Sequence, residues 1–492
     1  MNSARAEKRH VDFIDPTLRD GQQSWWGMRM PGAVSLALDL DRAGYRVIDI
    51  AGSSIFEVQV RYCREDPWEN LRRLAAALPR TPIRAGTRSN GIVTFHVTPD
   101  SVMDLWVERL AANGIRSFWI YDGLFNVDKI GRLAKVAKRA GCEVVPTVLY
   151  SSSPYHTDAY YADRARELAA LEVDAIEIED VSGVLTRDRT RGLRRAVKQA
   201  GDLRLELHFH NNTGLAPLNY LEGLAEGADT IHTASGPLAN GVAHPSTEAM
   251  VRNVECSGYA TSVALSVVHE VSKKLHAIAE QEGLPIGQPA EYDVFHYQHQ
   301  LPGGMTGTLK NQLKERGIEA ELPAIVEEIG RRSATRWAIG DGDAVLAADR
   351  HAGGAEPLEQ AALSDRARRD HTYVLGHYGK PVGPLDVNVK DKVLWSARAK
   401  EFNNWQPPQP AIEEPRKRFG GWVSDDELIL RLLVPEKEIE AMRAAGPPAR
   451  EYTIGGGNGE LRLIEKLIRE RRGGYVHFES EQLSITLSRE ST

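Results

Sequence analysis

His208 and His210 sit two residues apart in "ELHFHNNTG", at the end of an apolar run. Alternate residues of a strand point to the same face, so both imidazoles look the same way. Such a pair either holds a metal ion, or leaves one ring buried and hydrogen-bonded while the other packs against a loop. Charged residues gather in equivalent places, at the ends of other β-rich runs. "IDPTLRDGQQ" supplies Asp15, Arg19, Asp20, Gln22 and Gln23, and "TRSNG" supplies Arg88. "WIYDGLFN" adds Asp122, and "AIEIEDVSG" puts Glu177 and Glu179 on one strand face and Asp180 on the other. Inward-facing charges are costly unless paired or metal-bound, so several acids and two histidines converging on one rim call for a cation.

The elements that would bring these run ends together repeat along the first part of the chain: a helical pattern, a glycine, then a short β-rich run. The phrase reads "LDRAGYRVIDIAG", "LAANGIRSFWIYD", "AKRAGCEVVPTVLY", "KQAGDLRLELHFH" and "LAEGADTIHTAS". Gly44, Gly114, Gly141, Gly201 and Gly227 each fall where a helix would end in a left-handed conformation. With "VDFIDPTL", "PIRAGT" and "AIEIEDV" there are eight candidate strands, joined by amphipathic helices such as "VDKIGRLAKVAKRAG". Parallel strands joined by helical crossovers imply an α/β fold, a (β/α)8 TIM barrel; the alternative, an open doubly wound sheet, lacks a G-x-G-x-x-G after its first strand. In such barrels chemistry gathers at the carboxyl ends of the strands, where the charged residues lie.

The rest of the composition narrows the function class. At 492 residues, 42% hydrophobic and 26% charged with a net charge of −7, the chain reads as an ordinary globular protein. No long basic block proposes nucleic acid or an anionic membrane surface as partner. The amino terminus lacks an apolar signal core and no apolar run approaches a membrane span, so the expectation is cytoplasmic. Cys63, Cys142 and Cys256 form no C-x-x-C pair, and read as structural rather than as a disulfide framework or thiolate zinc site. Trp25 and Trp26 either wall a pocket mouth or pack on the first helix, and His299 either meets a ligand or makes a structural hydrogen bond.

The series "DPTLRDGQQS", "CREDPWENLRRL", "TRSNG", "YDGLFN", "IEDVSGVL", "HFHNNTG", "HPSTEAMV" and "YQHQLPGGMTGTLKNQL" resembles the carboxyltransferase domain family of pyruvate carboxylase. The oxaloacetate decarboxylase α-subunit and the transcarboxylase 5S-type subunit belong with it, among the metal-dependent HMG-CoA lyase-like barrels. "HYGKPVGP" and "SDDELILRLLVPEKEIEAM" resemble the helical domain that follows that barrel, so the likeness spans about residues 10–446. The expected organisation is a catalytic barrel over 1–305, a mainly helical domain over 306–446 and a small C-terminal α+β docking module over 447–492.

The resemblance implies that Asp20, His208 and His210 bind a divalent metal, while Arg19, Gln23 and Arg88 hold a small 2-oxo acid of the pyruvate or oxaloacetate type. A hard dication on the keto oxygen stabilises an enolate. The Arg88 guanidinium offers a planar fork to a carboxylate. Glu179 stands where these relatives carry a lysine that becomes a carbamylated ligand, and so offers a carboxylate directly; otherwise it pairs with a neighbouring arginine. Two histidines with two carboxylates suit Zn, Mn or Co rather than Ca. Gly307 falls at the family's proton-shuttling threonine or serine, with Thr306 and Thr308 on either side.

"IEAMRAAG" puts Arg443 where a biotin-bearing lysine would stand, in a helical context, so biotin is expected on a partner protein rather than on this chain. The implied activity is a metal-dependent carboxyltransferase subunit moving CO2 between a 2-oxo acid and carboxybiotin. The implied partners are a separate biotin carrier or biotin carboxylase and, since relatives commonly dimerise, a second copy of the chain. The alternative is a biotin-independent decarboxylase, lyase or aldol-type enzyme using the same enolate chemistry. Gly307, Glu179 and the divergent "RRSATRWAIGDGDAVLAADR" favour it. In the last residues, "GGGNG" is either a flexible connection or a phosphate cradle, followed by a helix and two strands around "YVHFESEQLSITL".

Overall fold

Eight parallel strands close into a barrel in chain order: β1 (Asp12–Asp15), β2 (Val47–Gly52), β3 (Ile83–Arg88), β4 (Ser117–Tyr121), β5 (Glu143–Leu149), β6 (Ala175–Asp180), β7 (Arg204–Phe209) and β8 (Thr230–His232). β8 pairs back onto β1, with Ile14 beside His232. All eight strands expected from sequence are present. The computed structural model describes residues 8–29, 34–92, 97–315, 317–327, 374–376, 379, 382–384, 387–395, 408–446, 475–480 and 483–488.

Helices between the strands bury apolar stripes against the barrel. Pro67–Ala77 starts on the Asp66 carboxylate, which accepts from the Trp68 and Glu69 amides, with proline in the first turn where no amide is needed. Its Trp68 meets Phe56 edge-on, and Phe56 meets Trp106, each with ring centroids 4.7 Å apart. The five helix-ending glycines all have positive φ. At Gly44 the requirement is also steric, because a Cβ would lie 2.2 Å from the Ser262 carbonyl oxygen.

The barrel interior departs from the usual packing of branched aliphatic side chains. Arg84 of β3 is fully buried and reaches across to β7, where Nη1 and Nη2 donate to Glu206 at 2.6 and 3.2 Å. Its Nε donates to Ser117 at 2.8 Å, and Glu177 lies 3.8 Å away. Burial disfavours the Glu206 carboxylate, but the Arg84 charge outweighs it and holds the group well below the usual range.

Met1–Glu451 and Tyr452–Thr492 form two compact units. In the first, the run "LILRLLVPEKEIEAM" makes two helices, Asp425–Leu433 and Glu436–Ala445, rather than one continuous helix. Pro435 pushes Val434 into an extended conformation and ends the first of them. Leu430, Val434, Ile439 and Met442 pack with Val60. Arg443 lies within the second helix, not on a hairpin turn.

In the second unit, β9 (Tyr475–Ser480) and β10 (Leu483–Ser488) pair antiparallel, as the sequence pattern anticipates. The "GGGNG" loop, the helix expected after it and "RRSATRWAIGDGDAVLAADR" lie outside the described residues. Among the described residues no helix is long and apolar enough to cross a membrane.

Candidate metal centre

Asp20 rides on a single π-helical turn, Thr17–Gly21, that follows β1 directly. The turn is anchored by Asp15, whose Oδ1 accepts from the Thr17 amide at 2.8 Å. Gly21 closes it against the loop after β8, where a Cβ would stand 2.9 Å from the Leu238 carbonyl oxygen. The turn leaves Asp20 3% exposed, aimed at the carboxyl end of β7.

Three imidazoles converge on one oxygen of that carboxylate. Asp20 Oδ2 lies 3.1 Å from His208 Nε2, 3.1 Å from His210 Nε2 and 2.9 Å from His244 Nε2. The four donor atoms lie within 4.8 Å of one another, and all four residues are buried. The far nitrogens fix two of the rings: His210 Nδ1 donates to the Val242 carbonyl at 2.6 Å and His244 Nδ1 to the Phe209 carbonyl at 3.0 Å. In their neutral forms both rings therefore turn a bare Nε2 lone pair toward an acidic oxygen.

Electron-rich atoms packed this way need a cation between them, either a proton or a metal. Burial disfavours the Asp20 carboxylate, yet Arg19 and His210 outweigh it and hold its pKa well below the usual range. Burial also works against a charge on His210, but Asp20 beside it raises the ring's pKa. His208 and His244 are pushed down, by burial first and then by neighbouring histidine. The donor set thus fits a divalent ion in place of one imidazolium proton.

The other residues singled out in the sequence fall around this centre. Glu179, on β6, is in register with His208 and places Oε1 3.7 Å from its Nε2. Arg19 donates from Nε to Asp49 Oδ2 at 2.8 Å, lies 3.3 Å from Asp20 through Nη1, and stacks over Trp119 at 4.8 Å. Trp119 Nε1 also donates to Asp49, at 3.1 Å. Arg88, the last residue of β3, donates from Nε to the Tyr121 hydroxyl at 3.0 Å. Gln23 meets the first turn of the helix Gly303–Glu315, whose Gly304 would bring a Cβ to 3.0 Å from Gln23 Nε2 and 3.4 Å from Asp20 Oδ1.

Thr306 lies on the same helix and its hydroxyl donates to the Pro302 carbonyl at 3.1 Å. The side chain of Thr308 lies outside what the structure describes. Other acids expected at the rim take structural partners instead. Asp180 accepts from the Val184 and Leu185 amides, Asp122 from Ser89 and the Leu124 amide, and Glu177 turns toward Arg84. Trp25 and Trp26 donate to the Asn240 and Pro285 carbonyls. His299 Nδ1 accepts from the Leu301 amide at 2.9 Å, the structural alternative.

Four residues of the site were not singled out: His244, His232, Asp49 and Trp119. His244 was within view, since "HPSTEAMV" follows the eighth strand and so begins at the same rim. Nothing in its spacing from His208 reveals their proximity.

No protein-family model matches the chain. A pyruvate carboxylase subunit of Methanothermobacter thermautotrophicus is 30% identical over 434 residues, covering 86% of this chain and 75% of that one. The chain belongs to the family of such pyruvate carboxylase subunits. This family of carboxyltransferase enzymes also draws in the 2-oxoglutarate carboxylase large subunit of Hydrogenobacter thermophilus, 27% identical over 447 residues, 87% of this chain and 67% of that one. The solved carboxyl transferase domain of Rhizobium etli pyruvate carboxylase, with pyruvate, superposes with a TM-score of 0.76 over 90% of this chain and 78% of that one. At 21% identity, that likeness concerns the fold.

Proposed function

We propose that this carboxyltransferase moves a carboxyl group between a small 2-oxo acid and carboxybiotin carried on a separate protein. The observation that carries the reading is the convergence of His208, His210 and His244 on one oxygen of Asp20 at the carboxyl end of a barrel. It is supported by family membership, and relatives named for both pyruvate and 2-oxoglutarate favour the class of 2-oxo acids over one member. We assign Asp20, His208, His210 and His244 as metal ligands, with Glu179 alongside to complete the coordination. Three nitrogens and a carboxylate oxygen suit Zn, Mn or Co better than a hard cation such as Ca.

When bound, the metal would supply a Lewis acid for negative charge on the substrate's oxygens. Arg19, held flat by Asp49 and Trp119, presents a fixed positive charge beside the metal ligands. Arg88 offers its guanidinium to the substrate carboxylate and Gln23 an amide N–H to the ketone. Thr306, or Thr308 next to Gly307, relays the proton between the substrate methyl group and the biotin that gives up or takes the carboxyl group. For Thr306 this requires its hydroxyl to rotate away from the Pro302 carbonyl. The helical region 306–446 and the segment 447–492 are proposed as a supporting domain and a docking module for the biotin-bearing partner.

The test is oxaloacetate turnover by the purified, metal-loaded chain, with and without free biotin or a biotinylated carrier. Pyruvate release that depends on biotin is expected. Release at the same rate without biotin would reject the mechanism in favour of a biotin-independent decarboxylase.

A further inference from the structure

Beneath the metal ligands, His208 Nδ1 faces His232 Nδ1 at 2.9 Å, with both rings 1% exposed. Two ring nitrogens at that distance share one proton: one ring donates and the other accepts. The surroundings of His232 decide which. Its Nε2 lies 3.4 Å from Glu206 Oε2 and 3.7 Å from Glu177 Oε2. Glu206 is ionised, because it takes two bonds from Arg84 and a third from Arg204 at 3.0 Å. A bare nitrogen facing that carboxylate would be repelled, so His232 carries its proton on Nε2 and donates it to Glu206.

A neutral His232 has one ring proton. With the proton on Nε2, its Nδ1 is an acceptor, and His208 must supply the hydrogen from its own Nδ1. That leaves His208 Nε2 as a bare lone pair, aimed at the point shared with Asp20, His210 and His244. His210 and His244 reach the same state through backbone carbonyls, which accept only. A histidine partner could donate or accept; the Glu206–Arg84 pair removes that ambiguity.

We propose that His232 is a positioning residue for metal binding, fixing His208 in its Nδ1-protonated tautomer through a buried relay that ends at Glu206 and Arg84. The inference rests on the metal-site reading above and goes beyond it, since His232 touches neither metal nor substrate.

The experiment is equilibrium titration of the metal-stripped full chain with Co(II) and with Zn(II), reading the Co(II) visible spectrum and the dissociation constant. His232→Phe removes the acceptor and is expected to weaken both metals about 10- to 100-fold. His232→Gln keeps a side-chain oxygen for the His208 Nδ1–H and is expected to stay within about 3-fold of wild type. Equal affinity for His232→Phe and wild type, or equal losses in the two variants, would overturn the proposal. Wild-type protein that binds neither metal would overturn it together with the site reading. Should His232→Phe fail to fold, the long-range 1H–15N spectrum of wild-type protein labelled with 15N-histidine decides. A His208 protonated on Nδ1 supports the relay, and one protonated on Nε2 overturns it.

Discussion

His244 Nε2 lies 2.9 Å from Asp20 Oδ2, joining the loop after β8 to the turn after the neighbouring β1 at the barrel mouth. That contact adds a third nitrogen to the two in "HFH" and turns a strand-end pair into an enclosing set. Removing it by His244→Ala is expected to weaken Co(II) or Zn(II) by more than the about 10- to 100-fold that loss of an outer partner costs. Metal content after gel filtration and a Co(II) titration would measure this. An unchanged affinity would remove His244 from the ligand set.

Metal binding is expected to be pH-dependent with a definite sign. Asp20 raises the His210 pKa, so the metal-free site holds a proton there that the metal must displace. Apparent affinity should therefore rise about tenfold per pH unit while His210 is protonated, then level off once it is neutral. Calorimetry in buffers of different ionisation enthalpy should register about one proton released per ion on the acid side. A flat affinity from pH 5 to 8 would contradict the His210–Asp20 pair.

Asp49 is expected to act through Arg19. It takes Nε at 2.8 Å and Nη2 at 2.7 Å, leaving Nη1 nearest Asp20. Asp49→Asn keeps the shape but weakens the grip, and the carboxyl-transfer kcat/KM should fall by about 10- to 100-fold, with metal affinity nearly unchanged. Arg19→Lys should lose at least as much, since an ammonium cannot hold two oxygens in one plane. Full activity in both variants would mean that Arg19 is structural.

The two glycines at the start of the helix over the site should respond differently to alanine. At Gly303 a Cβ would lie 2.0 Å from the Val242 carbonyl oxygen, which is backbone and also receives the His210 hydrogen bond. Gly303→Ala should lower both the thermal midpoint and metal affinity. At Gly304 the obstructing atoms are 3.0 Å away on the Gln23 amide, which can move. Gly304→Ala should raise KM for the 2-oxo acid several-fold with the midpoint nearly unchanged. Thermal melts with steady-state kinetics separate the two.

Breaking the buried Arg84–Glu206 pair from one side should be costly. Arg84→Met leaves Glu206 buried without its main partner, and a loss of about 3–5 kcal/mol is expected in denaturant unfolding. A companion Glu206→Gln change should recover part of it, because the uncompensated charge is then gone. A loss below about 1 kcal/mol for Arg84→Met alone would show that the barrel interior admits water.

The barrel was legible in the sequence because its signals are local. A helix that ends in glycine before a β-rich run repeats, and period-two alternation in "ELHFHNNTG" and "AIEIEDV" put His208 with His210 and Glu177 with Glu179 on shared faces. The amide-capping acid Asp180 was correctly turned from Glu179 by the same alternation. The helical context of Arg443 was legible from apolar spacing, while the break between its helix and the preceding one falls at Val434, which Pro435 holds extended.

The sequence by itself therefore determined which residues could do chemistry and that they share one end of a barrel. Only the tertiary structure decided which of them meet. Asp15, Asp122, Asp180 and Glu177 resemble Asp20 in type and rim position, yet each turns to a structural partner within reach. His244 and His232 join the site through loop and strand contacts 224 and 24 residues away in the chain, from Asp20 and His208 respectively. Spacing in the sequence carries no record of barrel closure, so the donor set and the relay beneath it exist only once β8 has paired with β1.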